Sequence, residues 1–267
     1  MADEHADSTE TRDYLYCLEI DFDIDAQLAA IRELLRRNLH AKEALSEEID
    51  RFEERARRLA GTQSDFATDE WVDRLHHSVY QEAAHSMATV GMLAPLVETI
   101  FHQCFLAIGK RFFPIASPVG EHVRWDATSS IQWDCHYVLS GRQMRKDLTR
   151  GILQLADAVN LTRRLPADLE QVLSLLLAYR NKMFHFGFEW PVDERERFEQ
   201  RIAQNGWPVN WISKATTADK PWIFYLSEDF INHCLSTIDK VLDRIGAFIR
   251  DELLPLQGNT PSRECND

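Results

Sequence analysis

Dense positive charge is missing from this chain, which has 30 lysine and arginine residues against 43 aspartate and glutamate residues and a formal net charge of −13. Nonspecific binding to nucleic acid needs many cations that displace counterions, so this balance argues against a protein that coats nucleic acid. The deficit is concentrated in residues 1–70, where 19 acidic and 9 basic groups give −10. In residues 140–185 the sign reverses, because 8 basic groups face 4 acidic ones and give +4.

Long apolar runs are also missing. No stretch approaches the roughly 18 uninterrupted apolar residues of a membrane span. The start, Met1-Ala2-Asp3-Glu4-His5, lacks the basic residues and apolar run of a secretory signal. We therefore expect a cytoplasmic protein without a membrane partner. The cysteines are few, odd in number and far apart, which predicts reduced thiols, most of them buried, rather than a disulfide framework. They are Cys17, Cys104, Cys135, Cys234 and Cys265.

Several common catalytic motifs are absent. The chain has no Cys-x2-Cys pair, no glycine-rich phosphate loop and no Gly-x-Ser-x-Gly elbow, which argues against zinc ribbons, P-loop nucleotide hydrolysis and α/β-hydrolase chemistry. Two groups of possible ligands do not match a recognised metal-binding spacing, so we interpret them as a surface histidine pair and an acidic turn, and expect no metal and no cofactor. These groups are His76, His77 and His85, and Asp21, Asp23 and Asp25.

What the chain does have is helical periodicity, with 45% hydrophobic and 27% charged residues, as in an ordinary globular protein. Apolar residues alternate from Tyr14 to Phe22, which predicts one strand. Elsewhere the spacing predicts helices, with Gly141 as a possible interruption of the fourth and Pro166 in the first turn of the fifth. The predicted helices cover residues 25–59, 65–87, 92–109, 133–161, 166–185 and 228–253.

These elements predict an all-α fold, a bundle of four or five core helices with an extra charged helix before it. We expect an acidic N-terminal segment over residues 1–60, a helical domain over 61–253 and a polar tail over 254–267. A long connection at 187–222 holds four tryptophans, which either anchor the connection to the bundle or stack on unpaired bases, and anchoring is the commoner role.

One short motif carries the functional prediction. Arg180-Asn181-Lys182-Met183-Phe184-His185 ends the most apolar helical stretch and lies in the positive zone. Composition alone yields about one Arg-x4-His match in a chain with 10 histidines, so the context of the motif decides its meaning. On a regular helix the two side chains point about 140° apart, so a fray or kink near Gly187 would be needed to bring both into one groove.

Arginine and histidine together are enough to cleave RNA without a metal. His185 would act as base and acid, and the Arg180 guanidinium would grip the phosphate while Asn181 orients it. Glu98 lies mid-helix among apolar neighbours and needs a basic partner if it is buried. Lys182, Arg145 and Lys146 are further candidates for binding RNA. Alternatively, Arg180 pairs with Glu98, and His185 only caps the end of its helix.

Residues 165–190 resemble HEPN-domain proteins, whose signature is Arg, a polar residue that is often Asn, three more residues and then His. The resemblance implies an all-α homodimer with a composite site at its two-fold interface and no metal. It also implies endoribonuclease activity, as in toxin–antitoxin, phage-defence or RNA-processing systems, and a possible antitoxin or regulatory protein as partner. Glu98 corresponds to the acid that the second core helix of this family can carry.

A second hypothesis stays open, in which the chain is a non-catalytic helical dimer that binds a partner protein or a nucleotide through the same groove. In that case the acidic N-terminal helix would serve as the docking arm. The same acidic segment would also be suited to shield the positive zone near the motif as an internal inhibitor.

Overall fold

A computed structural model describes residues 11–113, 121–141 and 143–258 of the chain. Helices account for 73% of the structure and strands for 9%, so the expectation of an all-α fold is confirmed. The loop predicted around Pro114, Arg142, Cys265 and most of the polar tail lie outside the described residues. The seven α-helices are α1 (Ile24–Arg58), α2 (Thr62–Phe112), α3 (Leu148–Ala158), α4 (Leu169–Phe186), α5 (Val192–Asn205), α6 (Glu228–Phe248) and α7 (Leu254–Gly258).

Two antiparallel hairpins accompany the helices. The first pairs β1 (Tyr137–Ser140) with β2 (Gln143–Lys146), and the second pairs β3 (Ile212–Thr217) with β4 (Lys220–Leu226). Three short 3-10 helices cover Tyr14–Leu18, Val123–Asp126 and Val209–Trp211, and a π-helical stretch, Ile249–Leu253, follows α6.

The chain forms two compact units. Unit 1 contains the described residues of Met1–Asp23, Pro95–Ser174 and Cys234–Asp267, and unit 2 contains Ile24–Ala94 and Leu175–His233. The boundaries between units fall inside α2, α4 and α6, so these three helices contribute residues to both cores. The domain boundaries expected at residues 60 and 253 stay a prediction.

Three expectations about single elements were wrong. Tyr14–Leu18 is a 3-10 helix rather than a strand, and Leu18 alone of its residues is buried. Residues 133–147 form a turn and the β1–β2 hairpin rather than a helix, with Gly141 at φ 58° next to β1. The two helices expected over 65–87 and 92–109 are one continuous helix, α2, with Pro95 inside it. The connection 187–222 was expected to be functional or to carry structure of its own, and it holds α5 and β3.

The tryptophans of 187–222 anchor that segment within unit 2. Trp190, Trp207 and Trp211 are buried, each at most 6% exposed. Trp190 stacks on Phe224 of β4 with ring centroids 5.5 Å apart and meets Phe198 of α5 edge-on at 4.9 Å. Buried rings cannot stack on bases, so the anchoring interpretation holds for these three side chains.

Helix α2 is both long and apolar. By length and composition it is able to cross one, since an 18-residue window has a mean hydropathy of 1.4. Half of that window is buried within the protein, as in the core helix of a folded domain. The expectation that no such stretch exists was therefore too strict, because it counted only uninterrupted apolar residues. The cytoplasmic location stays a prediction.

Candidate functional site

The Arg-x4-His motif occupies the C-terminal end of α4, within unit 2. Leu175, Leu176, Tyr179 and Met183 are buried at helical spacing and hold one side of the helix in the core. The Tyr179 hydroxyl donates a hydrogen bond to the backbone carbonyl of Phe224, at 2.9 Å. This buried contact fixes the helix one residue before Arg180.

The helix remains regular through the whole motif. It ends at Phe186, and Gly187 follows with φ 70°, a left-handed conformation that glycine adopts without strain. The Gly187 amide donates to the carbonyl of Met183 at 2.9 Å, and the Trp190 indole donates to the carbonyl of Gly187 at 3.0 Å. The turn therefore comes after His185, so Arg180 and His185 keep the roughly 140° separation of a regular helix.

Arg180, Asn181 and His185 are free for chemistry within the part of the chain that the structure describes. None of the three side chains makes a hydrogen bond or an ion pair to another residue of 11–113, 121–141 or 143–258. The Arg180 guanidinium carbon lies 5.8 Å from the centre of the Phe184 ring, and Phe184 is 57% exposed. A guanidinium on an aromatic face keeps its donors available for an anion.

The other three cations considered for RNA binding, Lys182, Arg145 and Lys146, each contact a neighbouring side chain. Lys182 pairs with Glu194 of α5 and holds the pKa of that carboxyl below its usual range. Arg145 and Lys146 lie on β2 in unit 1, both exposed. Arg145 lies 3.4 Å from Asp147, and the Lys146 ammonium lies 5.9 Å from the centre of the Tyr137 ring.

Glu98 belongs to a second polar group, in unit 1. The alternative prediction was that Glu98 pairs with Arg180. In the structure Glu98 pairs with His136 instead, and His136 Nε2 lies 2.9 Å from Glu98 Oε1. The other part of that alternative, a helix-capping role for His185, stays a prediction; His185 lies in the last turn of α4.

This second group contains five side chains with chemistry of their own. Besides Glu98, it includes His102 one turn further along α2, and three consecutive residues, Asp134, Cys135 and His136, that precede β1. The Nδ1 atom of His136 lies 2.5 Å from Asp134 Oδ1, and Nδ1 of His102 lies 3.6 Å from the same oxygen. The two imidazole rings lie with centroids 4.8 Å apart. We call these five residues the His/Cys cluster.

Burial and pairing shift the pKa values within the His/Cys cluster. Burial raises the pKa of the Cys135 thiol to about 12, so this cysteine is not a nucleophile at neutral pH. Burial lowers the pKa of His136, but hydrogen bonds with Asp134 and Glu98 outweigh it and leave that pKa above its usual value. Burial also raises the pKa of Asp134, but hydrogen bonds from His136 outweigh this effect, so the pKa of Asp134 lies below its usual value.

A buried arginine shapes the segment that carries the cluster. Arg124 is fully buried and donates to the backbone carbonyls of Ile131 at 2.7 Å, Gln132 at 2.8 Å and Tyr137 at 2.5 Å, and also to that of Asp134. One guanidinium thus satisfies four carbonyls of a segment without regular structure. Burial lowers the pKa of Arg124 to about 10, which still leaves it charged at neutral pH.

Close packing fixes the same segment from two helices of unit 1. A Cβ at Gly151 of α3 would lie 2.0 Å from the carbonyl oxygen of Cys135, so only glycine allows this approach. A Cβ at Gly109 of α2 would lie 2.4 Å from the ring of Trp133. The Gln154 side chain donates to the carbonyl of Leu139 and accepts from its amide, at 2.7 and 2.9 Å.

Sequence reasoning missed the His/Cys cluster for a clear reason. The segment 133–147 was expected to be helical, which would have spread Asp134, Cys135 and His136 around a helix axis. Two features of the sequence could have indicated the cluster. Asp134, Cys135 and His136 are three consecutive residues with reactive side chains. Glu98 and His102 are four residues apart on an otherwise apolar helix, so they lie on the same face of it.

The three histidines that were considered as possible ligands from sequence each contact a different neighbour. His76 packs edge-on against Trp222 at 5.5 Å, and His77 lies 3.0 Å from the amide of Gln81. His85 lies 3.4 Å from Glu228. A groove of about 620 Å³ lies between α1 and α2 in unit 2. The ammonium group of Lys42, which lines this groove, pairs with Glu82 at 2.8 Å.

Comparison of the chain with protein-family models, curated proteins and solved structures finds no match.

Proposed function

We propose that this protein is a metal-independent endoribonuclease of the HEPN type, a class that includes toxins and phage-defence effectors. One observation carries the proposal: the side chains of Arg180, Asn181 and His185 stand near the end of a rigidly anchored helix and make no hydrogen bond or ion pair within the described residues. A guanidinium, an amide and an imidazole that are free on a fixed scaffold suit a phosphate-cleaving site.

The roles of the residues follow from the chemistry of RNA cleavage. His185 takes the proton from the ribose 2′-hydroxyl, and the resulting oxyanion attacks the adjacent phosphorus and displaces the 5′-oxygen. His185 then returns this proton to the leaving oxygen as a general acid, which leaves a 2′,3′-cyclic phosphate. Arg180 holds the non-bridging oxygens as negative charge builds on them, and Asn181 orients the phosphate.

The proposal includes a homodimer, because one copy presents Arg180 and His185 about 140° apart on a regular helix. Two copies related by a two-fold axis supply two of each residue and allow Arg180 of one to act with His185 of the other. Exposed aromatic side chains flank His185, with Phe184 57% and Phe186 40% exposed. Burial of these rings against a second copy would stabilise such a dimer.

The test compares purified wild-type protein with His185→Ala and with His77→Ala, a matched loss of an exposed histidine elsewhere in unit 2. Each is incubated with mixed cellular RNA in EDTA, and new RNA ends are mapped. We expect cleavage with 2′,3′-cyclic phosphate ends by wild type and His77→Ala, and none by His185→Ala. Circular dichroism in the same buffer checks that all three are folded. Equal cleavage by all three, or by none, would overturn the proposal.

The second candidate function is a non-catalytic dimer that binds a partner protein through the same surface. It is favoured by the pairing of Lys182 with Glu194, which removes one cation from the surroundings of the motif. In that case no variant cleaves RNA, and substitution of Phe184 and Phe186 with serine weakens self-association while the fold is unchanged.

A further inference from the structure

The His/Cys cluster of unit 1 has the composition of a transition-metal site. One ligand atom each from His102, Cys135 and His136 lies within 4.8 Å of the other two. Imidazole nitrogen and thiolate sulfur are the ligands that Zn²⁺ selects in proteins, whereas Mg²⁺ and Ca²⁺ select oxygen. Among the described residues no other group of three such side chains comes this close.

We propose that His102, Cys135 and His136 bind a divalent transition-metal ion of the Zn²⁺ type, with a carboxylate from Asp134 or Glu98 as the fourth ligand. The site is independent of the proposed RNA-cleaving motif, which lies in unit 2. Its role would be to stabilise the segment 131–137 and its attachment to α2.

The polar atoms around the two histidines suit this assignment. His136 has a carboxylate at each ring nitrogen, Asp134 at Nδ1 and Glu98 at Nε2. When one nitrogen binds the metal, the other keeps its carboxylate, the arrangement that orients histidine ligands in metalloproteins. The Nδ1 atom of His102 is buried and makes no hydrogen bond within the described residues. A buried nitrogen without a partner is costly, and a metal ion would satisfy it.

The surrounding packing holds the ligands in place before any ion arrives. Arg124 fixes the carbonyls on both sides of Cys135, and Gly151 lets α3 contact the Cys135 backbone. A donor set already in place loses little conformational entropy on binding, which favours affinity. Two carboxylates supply negative charge to offset a divalent cation, with the Arg124 guanidinium as the opposing charge.

Binding replaces one bond at sulfur. The Cys135 S–H bond breaks, its electron pair forms the sulfur–metal bond, and the proton leaves to solvent. Cys135 is fully buried, so its metal would be enclosed, which is typical of structural rather than catalytic metal sites. The affinity is therefore expected to rise with pH, because metal competes with a proton for the thiol.

The test uses the full chain, stripped of metal with a chelator and titrated with Co²⁺ and then Zn²⁺. We expect one Co²⁺ per chain, a sulfur-to-cobalt charge-transfer band, and displacement of Co²⁺ by Zn²⁺ with a rise in the melting temperature. The Cys135→Ser variant is expected to lose the charge-transfer band. The Cys17→Ser variant, which changes a partly exposed cysteine outside the cluster, is expected to keep it.

A further variant protects the test against misfolding. His102→Gln removes one ligand from a partly exposed position and keeps the residue polar, so circular dichroism should match wild type. We expect it to weaken Co²⁺ binding at least tenfold. Retention of the charge-transfer band in Cys135→Ser, wild-type affinity in His102→Gln, or no binding by wild type would overturn the proposal. RNA cleavage in EDTA is a separate readout, so the two proposals can fail independently.

Discussion

At the scale of single residues, Arg124 contributes most to the local structure around the His/Cys cluster. Its guanidinium is enclosed among backbone carbonyls rather than carboxylates, so the charge is stabilised by peptide dipoles. Loss of the side chain would leave four carbonyls without this donor in a partly buried segment.

We predict that Arg124→Met destabilises the protein by roughly 3–5 kcal/mol, the range seen when one partner of a buried charged network is removed. Arg163→Met is the matched control, because Arg163 is exposed and should change stability by less than about 0.5 kcal/mol. Urea denaturation followed by circular dichroism measures both. Equal midpoints for the two variants would show that the Arg124 network contributes little.

The pair of His85 and Glu228 gives a prediction about pH. The contact with His85 lowers the pKa of Glu228. Burial raises this pKa and the charge of Lys42 lowers it, and the net effect is a lowered pKa. A carboxylate whose folded-state pKa lies below its unfolded value of about 4.5 adds stability above that value. This stability is lost as pH falls through the lowered pKa.

Replacement with glutamine removes that contribution. We expect Glu228→Gln to lower stability at pH 7 by about 1 kcal/mol, since the pair is partly solvated, and its difference from wild type to shrink as pH falls below about 4.5. Urea midpoints across this range would measure it. The control is Glu196→Gln, an exposed glutamate, whose curve should run parallel to wild type. A constant offset between Glu228→Gln and wild type at all pH values would contradict the explanation.

Single residues also show where sequence reasoning reached its limit. Arg180, Asn181 and His185 were identifiable because they form a short motif at the end of an apolar run. The partner of Glu98 was not, since His136 is 38 positions away and its placement depends on Arg124, Gly151 and Trp133 acting together. Contacts of this kind are set by packing and leave no periodic pattern in the sequence.

At the scale of elements, helices with a clear apolar stripe were predictable, whereas the joining of two of them into α2, a highly charged helix and a hairpin were not. Helices α1 and α6 begin within one residue of the expected positions, because an apolar stripe and an acidic first turn mark them. Helix α5 escaped prediction, since Phe198 is its one buried residue and its sequence is otherwise highly charged. The β1–β2 hairpin lies between helices and was hidden by their periodicity.

Two helical glycines allow a matched experiment on these elements. We predict that Gly151→Ala in α3 costs roughly 1–3 kcal/mol, because its Cβ would overlap the Cys135 carbonyl at 2.0 Å. In Gly91→Ala the Cβ would meet Phe184 at 3.5 Å, an ordinary contact. Alanine is the better helix former, so this second variant should be neutral or more stable by up to about 1 kcal/mol.

Thermal unfolding of the two variants beside wild type gives the comparison directly. Opposite signs are expected for two chemically identical changes. If both variants lose stability equally, the close approach at Gly151 does not constrain the structure more than the ordinary contact at Gly91.

At the scale of the whole molecule, the net charge of −13 is unfavourable for binding an anionic polymer. If the proposed ribonuclease function holds, long-range attraction to RNA is weak and recognition depends on the few cations near the end of α4. The fold class was predictable from composition and periodicity. The two units were not, because α2, α4 and α6 each contribute to both of them.

The composite site predicts a specific form of complementation. Arg180→Ala and His185→Ala variants should each be inactive alone, but a dimer of one with the other contains one intact Arg/His pair. Random mixing makes half of the dimers mixed, each with one site of two, so about a quarter of wild-type RNA cleavage is expected. Co-expression with two different tags provides the measurement, and no recovered activity would contradict a site shared between copies.

The close contact at Gly151 has a consequence for evolution. Because the carbonyl of Cys135 occupies the space of a side chain there, a sequence change at position 151 cannot be accepted without rerouting the segment that carries Cys135 and His136. Glycine at position 151 should therefore persist in any related chain that keeps this path of the backbone. A related chain with a larger residue there would be expected to carry the segment along a different path.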